Sequence, residues 1–168
     1  EDPSFDTNFV ESMAGRIQEW YRFATSRHRT RTKELPIDAW FSSVMNRVIA
    51  GTRTAMGMMT YKAALRHGYF DLQSAWSWYI RRSNGVPHAT ILRSFIEVQT
   101  KILAPFTPHF AEEVWSRIRG RGFISAAPYP QAKKAEINDR AEAAERNLQA
   151  VMTDVREILK VTELRPRR

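Results

Sequence analysis

The chain of 168 residues contains no cysteine. Disulfides and thiolate-bound metals are thereby excluded, and a reducing compartment is compatible. Glycine is sparse, with seven residues, which argues against a loop-rich all-β fold. No apolar run reaches the roughly 20 residues that a membrane span requires. The opening Glu1-Asp-Pro-Ser is acidic and polar, unlike a secretory signal. Four histidines, His28, His67, His88 and His109, share no helical metal-ligand spacing, so no zinc site is expected. A Gly-rich phosphate loop and a Gly-x-Ser-x-Gly nucleophile motif are missing. The acidic pairs Glu112–Glu113 and Glu142–Glu145 read as solvated or dipole-matched helix faces. No catalytic, cofactor-binding or metal-binding residue is therefore expected in this chain.

What is present is a globular composition, 43% hydrophobic and 11% aromatic, with a net charge of +8. A basic surplus points to a polyanionic partner, either nucleic acid or an anionic membrane. The cations are clustered. Arg27, Arg29, Arg31 and Lys33 alternate with polar residues, and Arg81 and Arg82 stand beside Trp78 and Tyr79. Arg117, Arg119, Arg121, Lys133 and Lys134 fall in a stretch with no acidic residue between them. Arginine and lysine supply phosphate contacts, and clusters on one side of a bundle hold a folded RNA by shape. The competing reading for each single arginine is solvated surface, and Arg81 and Arg82 also match a helix dipole.

Helical periodicity predicts about five helices. The first spans residues 6–26, with Phe9, Met13, Ile17, Trp20 and Ala24 on one face. The second opens at Pro36 or Ile37 and runs until Gly57 and Thr60 weaken it. The third begins near Tyr61 and ends by Ser83-Asn84-Gly85, where asparagine or glycine readily adopts the left-handed closing conformation. The fourth carries Ile91, Phe95, Val98 and Ile102 and is the most apolar, hence expected at the centre. Pro105 ends it. Thr107 is a good N-cap and Pro108 a good first residue for a short helix that seats Trp115. Residues 119–137 break the period, with an extended piece near Phe123-Ile124. The last helix runs from about Asn138 to Val161, with a narrow seam of Ala144, Leu148, Val151, Val155 and Ile158 opposite a charged face. The tryptophans and methionines fall mostly on inward positions. These elements predict an all-α, up-and-down bundle filling residues 1–162, with 163–168 opening a linker.

Three stretches carry a resemblance beyond this physics. Ile37-Asp-Ala-Trp-Phe-Ser-Ser-Val-Met-Asn-Arg47 resembles the opening of the helical anticodon-binding domain of class I aminoacyl-tRNA synthetases with aliphatic substrates. Leu103-Ala-Pro-Phe-Thr-Pro-His-Phe-Ala-Glu-Glu-Val-Trp115 looks like that domain's hallmark, and Ser125-Ala-Ala-Pro-Tyr-Pro130 follows in the expected place. Tyr61-Lys-Ala-Ala-Leu, Phe70-Asp-Leu-Gln, Trp78-Tyr-Ile-Arg-Arg82, Leu92-Arg-Ser-Phe-Ile-Glu-Val-Gln-Thr100 and Val155-Arg-Glu-Ile-Leu-Lys-Val-Thr162 are similar to leucyl-tRNA synthetases of the archaeal and eukaryotic-cytosolic type. The isoleucyl and valyl relatives are the alternatives. Ala39 and Val44 depart from the pattern by standing where family members carry basic residues.

The resemblance implies a noncatalytic tRNA-binding fragment of a cytoplasmic ligase. Its partners would be leucine tRNA and the catalytic and C-terminal domains of the parent chain, with no membrane. It would hold no cofactor, whereas the parent would use ATP and magnesium. Leucyl enzymes of this type rely more on the variable arm and acceptor end of tRNA, so the bundle would hold tRNA without reading the anticodon. The alternative function is a docking bundle that braces the parent enzyme without touching RNA.

Overall fold

The computed structural model describes residues 7–161. Among them α-helices dominate, with no strand and a single isolated bridge between Arg31 and His88. The expected linker at 163–168 and the inward role of Phe9 lie outside the described residues and side chains. The helices are α1 (Thr7–Thr25), α2 (Pro36–Gly57), α3 (Tyr61–Leu65), α4 (Leu72–Arg82), α5 (Ala89–Leu103), α6 (Pro108–Arg117) and α7 (Asp139–Val161). The predicted third helix is continuous from α3 to α4 but carries a π-helical turn, Arg66–Asp71, in its middle.

That π turn has a packing cause. Gly68 is pressed against α2 and α5 so closely that a Cβ there would overlap the Ile102 side chain. The buried Gln99 amide donates to the Gly68 carbonyl at 2.7 Å, satisfying a group displaced from the regular ladder. Gln73 in turn donates to the Gln99 carbonyl oxygen at 3.3 Å.

The core is largely aromatic. Trp20 of α1, Phe41 of α2, Trp76 and Tyr79 of α4 and Phe95 of α5 converge, and Trp76 stacks on Phe95 with ring centroids 4.3 Å apart. The centre of the bundle is α2, not α5: α2 touches α3, the π turn, α4, α5 and α7. Beside the stripe of Phe41, Met45, Val48, Thr52 and Ala55 it also buries Trp40, Ser43 and Asn46 on other sides, and two of these are polar, so hydrophobic periodicity alone does not show it. The tryptophans are inside as expected, Trp78 only partly. The methionines divide: Met45 is buried, whereas Met58 and Met59 are exposed at the α2–α3 turn.

Three helices close in the same way. After α2, α4 and α6, the residues Met59, Asn84 and Arg119 take φ near +57°, +52° and +61°. The N–H groups of Thr60, Gly85 and Gly120 reach back to the carbonyls of Ala55, Ile80 and Trp115 at 2.8–2.9 Å. This is the Schellman closure, built on non-glycine residues. The corner behaves as read: α5 stops before Pro105, and Pro108 occupies the first turn of α6. Thr107 stands at the N-cap position, but its hydroxyl turns back to the Leu103 carbonyl at 3.2 Å and caps nothing.

α7 reverses an expectation. Its apolar seam faces outward, with Val151, Val155 and Ile158 exposed. The helix is fastened to the bundle by its polar side. Glu145 is buried and accepts from Trp78 Nε1 at 2.9 Å and from the Arg82 guanidinium at 3.1 Å. Glu142 accepts from Arg47 at 2.7 and 2.8 Å and from the Ser43 hydroxyl. Asn138 caps the helix, receiving the Ala141 N–H at 3.0 Å. The Glu142–Glu145 pair is thus not a solvated face. It ties α7 to α2 and α4, because its carboxylates meet the buried Ser43 hydroxyl and the partly buried Trp78 N–H together with the Arg47 and Arg82 guanidinium groups.

Candidate nucleic-acid interface

Residues 118–128, leaving α6, fold back across α5 and leave a groove of about 890 Å³. One wall is α5, which contributes Arg93, Glu97 and Lys101. The other is the loop with Arg119, Arg121 and Phe123. Ser26, His28 and Thr30, from the connector between α1 and α2, line one margin. The connector is held there by its parallel bridge: Arg31 N–H donates to Pro87 O, and Ala89 N–H donates to Arg31 O, both at 3.0 Å. Trp115 lies in the groove wall, 7% exposed, with the Lys101 ammonium 5.2 Å from its ring centroid.

The loop wall is firmly anchored. Both Glu112 oxygens accept the Ile124 N–H, at 3.0 and 3.2 Å. Ile124 is buried beside Ala111 and Trp115 in a second small core. At the other end Gly120 lies on the Trp115 indole with no room for a Cβ. Glu112 thus serves the loop and not the helix dipole. Glu113 binds Arg117 at 3.0 Å and accepts from the Tyr21 hydroxyl at 3.3 Å, linking α6 to α1. The expected extended piece is a 3₁₀ turn, Ile124–Ala126, entered by an extended Phe123.

The cations nominated from sequence separate by environment. Arg119 and Arg121 line the groove, exposed, with no ion pair among the described residues. Lys133 lines a neighbouring groove of about 510 Å³ that shares Glu97, Lys101 and Pro128 with the first. It is bound to Glu136 at 2.8 Å, which raises its pKa and depresses that of Glu136. Lys134 is exposed beside it. Arg27, Arg29 and Lys33 are exposed, but the groove is lined by the residues alternating with the two arginines. Arg31 is committed to the interior. Its guanidinium forks onto Asp38 at 2.6 and 2.8 Å and also donates to the carbonyls of Val86 and Lys33. Arg82 is held by Glu145 and Arg117 by Glu113, while Arg81 lies over the Trp78 ring at 5.8 Å.

The sequence reading missed Arg93, Lys101 and Phe123. The first two stand alone on the most apolar helix, so no cluster marks them, and Phe123 looks like a core residue. Burial pushes the Tyr129 hydroxyl, beside the second groove, up to about 12, and Tyr69 is raised by the same cause. Neither lies in the basic groove. The arrangement offers positive charge, a flat ring and a concave surface. No group of side chains that could hold a metal occurs among the described residues, and the one histidine–carboxylate pair, His67 with Asp71 at 2.9 Å, lies outside the groove.

Residues 38–167 match the family described as the anticodon-binding domain of tRNA ligase. The leucine–tRNA ligase of Aeropyrum pernix is 38% identical over 161 residues, 95% of this chain and 17% of that protein. The leucine–tRNA ligase of Pyrococcus furiosus is 30% identical over 172 residues, 97% of this chain and 18% of that protein. The chain therefore spans under a fifth of the length of these relatives. Among solved structures, the LeuRS of the Agrobacterium radiobacter K84 agnB2 ternary complex with tRNA and LeuAMS shares the fold. Its TM-score is 0.60 at 18% identity, over 77% of this chain and 17% of that one. An all-α bundle with a proline corner at Pro105 and Pro108, matched over most of its length, belongs to the anticodon-binding domain family of tRNA ligases.

Proposed function

We propose that the chain is the noncatalytic tRNA-binding bundle of a leucine–tRNA ligase. In this reading it holds leucine tRNA by shape and phosphate contacts while a catalytic domain elsewhere in the parent chain performs the ATP- and magnesium-dependent ligation in the cytoplasm. The observation that carries the reading is the convergence of Arg93 from α5 with Arg119 and Arg121 from the loop along one groove, where Lys101 pairs with Glu97, the groove's acidic side chain. Phosphate contacts of this kind fix register without reading bases, and their strength falls steeply with salt. Filter binding of leucine tRNA over a salt series tests it. The expected result is a steep salt slope with little dependence on anticodon sequence; no binding at low salt rejects it.

A second reading, a bundle that braces the parent enzyme or binds a protein, is favoured by the outward seam of α7 with its exposed Val151 and Val155. Charge reversal at Arg119 and Arg121 separates the two. Arg117 is a poor choice for this experiment because it is paired with Glu113. Lost aminoacylation by the full-length enzyme with folding intact supports RNA contact, and unchanged aminoacylation supports bracing.

A further inference from the structure

Phe123 is an apolar ring that the fold displays: it is 72% exposed on the rim of the basic groove. A single exposed phenylalanine is ordinary by itself. This one is carried by a loop fixed on both sides. Upstream, Gly120 N–H is bonded to Trp115 O at 2.8 Å and its backbone lies on the indole. Downstream, Ile124 is clamped by Glu112 and buried. Arg119, just before the first anchor, takes a left-handed φ of +61° that is unfavourable for a residue with a side chain, and Gly122, between the anchors, takes +62° without that penalty. The loop therefore presents Arg119, Arg121 and Phe123 together in one set geometry, facing Arg93 and Lys101 across the groove.

We propose that this groove receives one unpaired nucleotide of the bound RNA, its base stacked on the Phe123 ring and its flanking phosphates against Arg119 and Arg121. The inference rests on the tRNA-binding reading above. A volume near 890 Å³ falls within the roughly 300–1,000 Å³ of small-ligand clefts. A base inside a stem has both faces covered, so only a splayed one can lie on a protein ring. Every base has a π-face, so stacking selects unpaired over paired nucleotides without selecting a sequence. The opposite wall supports the same mode. Leu92 and Ile96 give an apolar floor, and Glu97, the acidic side chain lining the groove, is paired with Lys101 at 2.7 Å.

The test compares the wild-type chain with Phe123→Ala and Phe123→Trp on two probes: a leucine tRNA transcript, and a blunt, fully paired RNA duplex. Phe123 is exposed, so both variants keep the core, and their melting temperatures verify this. Phe123→Ala is expected to weaken tRNA binding by about fivefold or more while leaving duplex binding unchanged, and Phe123→Trp to retain or tighten tRNA binding. Emission of 2-aminopurine placed in unpaired positions of the transcript should be quenched by wild type and not by Phe123→Ala. Wild-type affinity of Phe123→Ala for tRNA overturns the stacking site and leaves the tRNA-binding reading standing. Equal losses on tRNA and duplex also overturn it, since the duplex offers no splayed base. If the wild-type chain binds neither probe at low salt, both readings fall together.

Discussion

Arg31 and Asp38 form a forked ion pair, with both terminal guanidinium nitrogens on the two carboxylate oxygens at 2.6 and 2.8 Å and both side chains largely buried. Three elements meet at the pair. The Tyr79 hydroxyl of α4 donates to Asp38 at 2.7 Å and accepts the His88 N–H at 2.9 Å, and Leu35 N–H reaches Asp38 at 2.8 Å. A residue from the most conspicuous basic cluster thus fixes the α1–α2 connector to the bundle. Arg31→Ala is expected to destabilise the chain by about 3 kcal/mol, because it strands a buried carboxylate, while Arg29→Ala shifts stability by less than about 0.5 kcal/mol. Urea unfolding of the two variants measures the contrast.

The same pair sets an acid limit. Burial alone would raise the Asp38 pKa, but hydrogen bonds from Arg31, Leu35 N–H and Tyr79 outweigh it and hold it below the ordinary value. A folded pKa below the unfolded value of about 3.9 means that this stabilisation is complete above that pH and is lost as pH falls through the folded value. Urea midpoints recorded from pH 6 to pH 2 should fall below about pH 4 in wild type, and with a shallower slope in Asp38→Asn.

Arg119 combines an unfavourable backbone with an exposed charge in the groove. Arg119→Gly should leave stability unchanged or raise it by up to about 1 kcal/mol, since glycine accepts positive φ without a Cβ penalty. The same variant should bind tRNA more weakly, with a salt slope reduced by about one unit. Thermal melts and a salt-series titration read the two effects. Met59→Gly, in the equivalent closure after α2, should give the stability effect without the binding effect.

Gln99 and the π turn should fail together. Gln99→Leu leaves the Gly68 carbonyl unsatisfied in the core and should cost about 1–3 kcal/mol. Gly68→Ala drives a methyl into Ile102 and should cost about 1–3 kcal/mol. A double mutant in a denaturation cycle should lose less than the sum, since the methyl that pushes residue 68 away from Ile102 also draws its carbonyl from the Gln99 amide.

Glu145 holds α7 through Trp78 and Arg82, so Glu145→Ala should cost about 1–2 kcal/mol, chiefly by stranding the Trp78 N–H, since the 40% exposed Arg82 can turn to water. Hydrogen exchange should quicken first in α7, ahead of the aromatic core.

Local rules made much of the fold legible. Pro36, Pro105, Pro108, Asn84 and Gly85 mark helix ends because proline and left-handed φ act on the residues nearest in sequence. The stripe of Ile91, Phe95 and Ile102 gave α5 the same way, and the order of residues around the proline corner gave the family. Tertiary structure decided what no local rule reaches. Which of several neighbouring arginines is spent depends on where a carboxylate from another helix arrives: Asp38 takes Arg31, Glu145 takes Arg82, Glu113 takes Arg117, and Arg119 and Arg121 are left to the groove. The packed face of α7 was settled by partners on α2 and α4, so a buried Glu145 outweighed an apolar seam that periodicity alone would have turned inward. Phe123 was placed on the surface by the Glu112 clamp and the Trp115–Gly120 contact. Charge and hydrophobicity are properties of a residue, whereas burial and availability depend on what the folded chain places beside it.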